Sequence, residues 1–140
     1  MVCLYCGGKT RVFNSRKQHK GNSVWRRRRC QRCLAVFTTQ ESPDLASTLM
    51  VSQSGVYTPF LADFLYTDIL LALQDRKNCY IEAREITKTV IRHLLKLSTS
   101  PLFEPRQISV ETAKVLKRFN KRAYLRYAAE HESLQKGLRG

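Results

Sequence analysis

Acidic side chains are scarce in this sequence: 11 Asp and Glu face 25 Lys and Arg across 140 residues, a formal net charge of +14. That imbalance excludes an acidic surface and favours a polyanionic partner, either nucleic acid or an anionic membrane. Long apolar runs are also missing. None approaches the roughly 20 residues that span a bilayer, and the opening Met1-Val2-Cys3-Leu4-Tyr5-Cys6-Gly7 lacks a signal-peptide hydrophobic stretch. The expected address is therefore the cytoplasm, with no membrane role. In that reducing compartment the 5 cysteines are better read as metal ligands or buried thiols than as disulfides. A glycine-rich phosphate loop of the G-x-x-x-x-G-K type is absent. His19, His93 and His131 are scattered without an acid or nucleophile paired to them by motif, and Ser98-Thr99-Ser100 reads as a linker. Catalysis is not expected. The length allows one ordinary domain or two very small ones, too little for most large cofactor-driven catalytic domains.

What charge there is lies unevenly. Residues 1–41 carry ten basic side chains against Glu41 alone, hold four of the five cysteines, and show little helical periodicity. A composition shift at Gln40-Glu41-Ser42-Pro43-Asp44 precedes an apolar stretch from Leu45. This places a small β module at 1–44 and a second domain at 45–140. In the second, Leu49-Met50-Val51 and Val56-Tyr57 flank Ser52-Gln53-Ser54-Gly55 as a short hairpin would. Thr58-Pro59 reads as an N-cap with proline at the first helical position, followed by Leu61, Leu65, Ile69 and Leu73 at helical spacing. Further helices are expected from about Ile81 to Leu97, from near Pro105 through Phe119, and from about Ala123 to Leu134. The fold class is α+β: a β module, then four helices capped by a short hairpin.

Cys3-Leu4-Tyr5-Cys6 and Cys30-Gln31-Arg32-Cys33 are two C-x-x-C pairs separated by 23 residues. Two such knuckles complete a tetrahedral Cys₄ site, with room for two strands between them. Four protein ligands leave no open position for water, so one structural Zn²⁺ is expected, supplying much of the module's folding energy. A redox dithiol is the alternative. Cys79 stands alone and reads as an inert thiol.

Between the knuckles runs Ser23-Val24-Trp25-Arg26-Arg27-Arg28-Arg29-Cys30. In a strand, Arg27 and Arg29 share a face with Trp25 while Arg26 and Arg28 take the other. Guanidinium forks suit phosphate and guanine edges, and Trp25 can stack on a base or cover a thin core. Arg11 and Arg16, with Lys9 and Lys17, extend the positive field from the preceding strand. Nucleic-acid contact through Arg11, Arg16, Trp25, Arg26, Arg27, Arg28 and Arg29 is favoured over a merely solvated face.

Taken together, Cys-x-x-Cys, Thr10-Arg11-Val12-Phe13-Asn14-Ser15-Arg16, Gly21-Asn22-Ser23-Val24-Trp25 with its four arginines, and Phe37-Thr38-Thr39 resemble the zinc ribbon of the NrdR transcriptional repressors. Pro59-Phe60 and Ala123-Tyr124-Leu125-Arg126-Tyr127-Ala128-Ala129 extend the resemblance to nearly the whole chain. It implies a zinc-ribbon DNA-binding domain joined to an ATP-cone. In that family the cone senses ATP or dATP, changes the oligomer, and so controls repression of ribonucleotide reductase genes. By resemblance, Val51, Pro59, Phe60, Arg76 and Tyr124 are the nucleotide-binding candidates. This sequence carries Ser52, Phe64 and Asp75 where the family's basic residues fall, Thr58 where an acid falls, and Tyr127 and His131 in the altered terminal aromatic cluster. The expected partners are double-stranded DNA, ATP or dATP, and further copies of the chain as a homo-oligomer. An RNA-binding or ribosome-associated ribbon, and a reductase-linked protein-interaction module, stand as alternatives.

Overall fold

The computed structural model describes residues 1–135, and the chain divides between Asp44 and Leu45 into two compact units. In the first, strands β1 (Thr10–Gln18), β2 (Ser23–Cys30) and β3 (Val36–Glu41) form an antiparallel sheet in the order β1-β2-β3. A 3₁₀ turn at His19–Gly21 and Asn22 in the left-handed region (φ 45°) join β1 to β2. The register slips by one residue between Val12 and Asn14, a bulge that leaves Phe13 without a partner on β2. The buried core is only Cys3, Cys30 and Phe37, with Cys6 and Ala35 packed against it. A core that small cannot offset the chain entropy of some 40 residues, so this unit depends on a cross-link.

The second unit opens with the helical turn α1 (Leu45–Thr48) and the hairpin of β4 (Met50–Gln53) and β5 (Val56–Pro59). Ser54 and Gly55 both take positive φ, 52° and 80°, as a two-residue hairpin turn of the primed type requires. Four longer helices follow: α2 (Ala62–Ala72), α3 (Cys79–Leu97), α4 (Pro105–Phe119) and α5 (Lys121–Glu130), then the short α6 (Glu132–Gln135). Leu65, Ile69 and Leu73 meet Ala83, Ile86, Val90 and Leu94 of α3, Leu116 of α4 and Tyr127 of α5 in one core. Pro105 starts α4, whose Gln107 Oε1 accepts from the Glu104 N–H at 2.8 Å.

Three local expectations need correction. Thr58-Pro59 does not start a helix. Thr58 pairs with Val51 and Pro59 with Met50, the Phe60 N–H donates to the Leu49 carbonyl, and α2 begins at Ala62. Proline is tolerated there because it ends an edge strand. The hairpin gains a third strand, β6 (Leu102–Phe103), parallel to β4, where a linker was expected to run straight into a helix. The last helix is two pieces, since His131 adopts an extended conformation (φ −117°, ψ 99°) between α5 and α6.

Candidate metal centre and nucleic-acid interface

Each C-x-x-C pair folds as a tight turn whose amides point at sulfur. The Tyr5 N–H donates to Cys3 Sγ at 3.5 Å, and the Arg32 and Cys33 amides donate to Cys30 Sγ at 3.3 and 3.4 Å. The turns close by Cys3 N–H to Gly8 carbonyl at 2.8 Å and Cys30 N–H to Ala35 carbonyl at 2.9 Å. All four sulfurs lie within 4.8 Å of one another, with Cys3 to Cys33 at 3.6 Å and Cys6 to Cys30 at 3.5 Å. A tetrahedron with metal–sulfur bonds of about 2.3 Å has edges of about 3.8 Å, so the donor set fits Zn²⁺ and supports a closed, structural site. Gly8 suits this crowding, because a Cβ there would meet Arg32 Cβ at 3.1 Å and the sulfurs of Cys6 and Cys30 at 3.3 Å, closer than ordinary van der Waals contact.

The thiols are unequal. Donation from the Cys33 N–H, joined by the Arg32 amide, pulls Cys30 down to about 6 against the opposing effect of burial. Cys33 feels a lowering from the Ala35 amide, which the neighbouring Cys6 thiol, burial, Cys30 and Cys3 outweigh, pushing it up to about 12. Four sulfurs this close shed all their protons only to a cation, which couples metal binding to proton release.

The residue after the second cysteine of each pair occupies the left-handed region: Gly7 at φ 68° and Leu34 at φ 63°. Glycine does this freely, whereas leucine is strained there. Leu34 is also 63% exposed and so contributes little packing. Leu34→Gly should stabilise the ribbon by about 1 kcal/mol, seen as a rise in its thermal midpoint with zinc bound; a fall would show the turn relaxes otherwise. Nothing in the residue type at 34 announces this position; only aligning the two knuckles on their cysteines does.

The cross-strand register sorts the arginines. Arg11 pairs with Arg29, which pairs with Val36; Asn14 with Arg27, and that with Thr38; Arg16 with Trp25, and that with Gln40. Directly paired residues share a sheet face, so Arg11, Arg16, Trp25, Arg27 and Arg29 stand together. Arg27 and Arg29 are exposed and Trp25 half-buried. Among the described residues, none of these four arginines has a carboxylate partner within salt-bridge distance. The opposite face differs. Arg26 is ion-paired with Glu41, and Arg28 Nε donates to Thr39 Oγ1 at 3.1 Å.

The nucleotide candidates fall in two settings, Val51, Pro59 and Phe60 on or beside the small sheet and Arg76 and Tyr124 among the helices. Val51 lies on the central strand β4 and Pro59 at the exposed end of β5. Phe60 is 3% exposed in the core, edge-on to Phe103 with centroids 6.3 Å apart. Arg76 is bound through Nε and Nη2 to Glu82 and lies over the Phe119 ring at 5.0 Å. Tyr124 sits on α5 beneath Lys117, 5.6 Å from its centroid. Ser52 is on β4, Phe64 is exposed on α2, and Asp75 is bound to Arg126 at 2.5 Å. That contact, with help from Arg122, holds the Asp75 carboxyl below the usual carboxylate range.

Residues 1–41 match a family model described as "Transcriptional repressor NrdR-like, N-terminal domain". Proteins named "Transcriptional repressor NrdR" are similar along 96% of this chain. That of Chromobacterium violaceum is 33% identical with 89% of its length covered, and that of Bordetella pertussis is 34% identical with 84% covered. The Leptothrix cholodnii protein of that name is 31% identical with 92% covered.

Proposed function

The chain belongs to the NrdR family of transcriptional repressors, and from that premise we propose that it represses by setting the basic face of its zinc ribbon on duplex DNA. Arg11, Arg16, Arg27 and Arg29 supply the phosphate and base-edge contacts, and Trp25 packs beside them. One observation carries this reading: four guanidiniums on one face without a carboxylate partner among the described residues, two of them directly opposed across the strands as Arg11 and Arg29. Like charges so placed destabilise a sheet unless a polyanion neutralises them. Arg26 and Arg28, held by Glu41 and Thr39, stiffen the ribbon from behind. No described helix is long and apolar enough to cross a membrane. The regulated genes, by resemblance, are those of ribonucleotide reductase, and the site of action is the nucleoid in the cytoplasm.

Residues 45–140 are assigned the regulatory and oligomerising role. ATP or dATP is the effector the resemblance implies, yet Arg76 is already held by Glu82 and Asp75 presents a carboxylate. Phosphate needs unspent cations, so we expect weak nucleotide dependence. Selection from a random duplex pool, with zinc and with or without ATP and dATP, tests both points. The expected result is enrichment of one repeated motif whose affinity the nucleotides change little. A preference for structured RNA at matched salt would overturn the DNA assignment, and a motif that appears only with dATP would overturn the second.

A further inference from the structure

Outside the ribbon, six of the thirteen described Lys and Arg side chains have a carboxylate within salt-bridge distance. Arg76 is bound by Glu82, Lys88 by Glu85 and Arg126 by Asp75. Three of the other seven, Lys117, Arg118 and Lys121, gather at the corner between α4 and α5. Lys114, Lys117, Arg118, Lys121 and Arg122 fall within nine residues that include no acid. Lys114 reaches Glu111, and Arg122 stands 3.6 Å from Asp75, which Arg126 already holds more closely. Lys117, Arg118 and Lys121 are exposed and have no ion-pair partner among the described residues.

The helix ends sharpen the contrast. Lys117 and Arg118 close the last turn of α4, where cations suit the dipole. Lys121 and Arg122 open α5, whose first turn holds no acid, so they sit at the positive end of its dipole. The dipole disfavours each cation placed there, and mutual repulsion adds to it. The Asn120 cap, whose Oδ1 accepts from the Ala123 N–H at 2.9 Å, fixes the backbone from which these side chains extend.

We infer that the α4–α5 corner is a second phosphate-contacting surface, taking the sugar-phosphate backbone of the duplex through Lys117, Arg118, Lys121 and Arg122. The inference rests on the proposed DNA-binding role and adds contacts without sequence preference. Lys117 and Lys121 are point cations on mobile stems, and the Arg118 and Arg122 forks fit phosphate oxygens, so the set can hold the backbone without choosing a base.

The test measures how affinity for a random-sequence duplex falls with salt, using the full chain with zinc. Each phosphate contact contributes about 0.9 to the logarithmic slope, so R118Q/K121Q should lower the slope by about 1.8. Between 50 and 200 mM salt the variant then loses about 12-fold less affinity than the parent chain. The same two charges removed from α3, as K88Q/R92Q, should leave the slope unchanged. An unchanged slope for the corner variant, or an equal fall for the α3 variant, overturns the inference, the latter by showing a general effect of net charge. An R27Q/R29Q ribbon variant run alongside separates the two readings: loss of slope there, with none at the corner, sinks this surface and leaves the ribbon assignment standing.

Discussion

Replacing Cys30 with serine unfolds residues 1–44 and leaves residues 45–140 folded. Cys30 is fully buried, its sulfur accepts two amide N–H groups, and it links the end of β2 to the second knuckle. Serine keeps those hydrogen bonds at best and is a poor zinc ligand. Structural zinc contributes about 10–16 kcal/mol of apparent binding free energy in small domains, far more than Cys3, Cys30 and Phe37 supply by burial. The second unit has its own core, centred on Ile69, Leu73, Val90, Phe103 and Leu116. The expected signature is loss of the metal and rapid proteolysis within residues 1–44, with the helical circular dichroism of α2 to α5 retained. A protease-resistant ribbon without zinc would contradict the account.

The second large effect separates alternate arginines of one strand. Arg27→Ala with Arg29→Ala should lower the salt slope of duplex binding by about 1.8, if each guanidinium meets one phosphate, and weaken affinity at any fixed salt. Arg26→Ala with Arg28→Ala removes the same charge from the same four-residue run, but from groups engaged with Glu41 and Thr39. Its effect on slope should be clearly smaller and its effect on ribbon stability larger. Equal slopes for the two variants would mean that the run acts as bulk charge, without a binding face.

The ribbon was open to reading because its chemistry is local. The C-x-x-C spacing specifies the sulfur cluster, and strand alternation assigns Trp25, Arg27 and Arg29 to one face. Which face is free depends on Glu41, far along the chain from Arg26, and only the β2–β3 register brings them together. The bundle was readable where periodicity is long, as in α3 and α4. It misled at Thr58-Pro59, where the N-cap and proline signals are genuine but backbone pairing with Met50 and Val51 prevails. Strand β6, two residues long, carries too little pattern to be seen at all. The engagement of Asp75 by Arg126 likewise arises from tertiary placement, since the two are 51 residues apart.

The central claim joins metal to DNA: zinc holds the ribbon so that its arginine face can meet a duplex. The most direct measurement is duplex binding by the chelator-stripped full chain as zinc is titrated back, followed by fluorescence anisotropy. The account predicts no specific binding without metal and full recovery at one zinc per chain. Duplex affinity that is the same before and after zinc returns would contradict it.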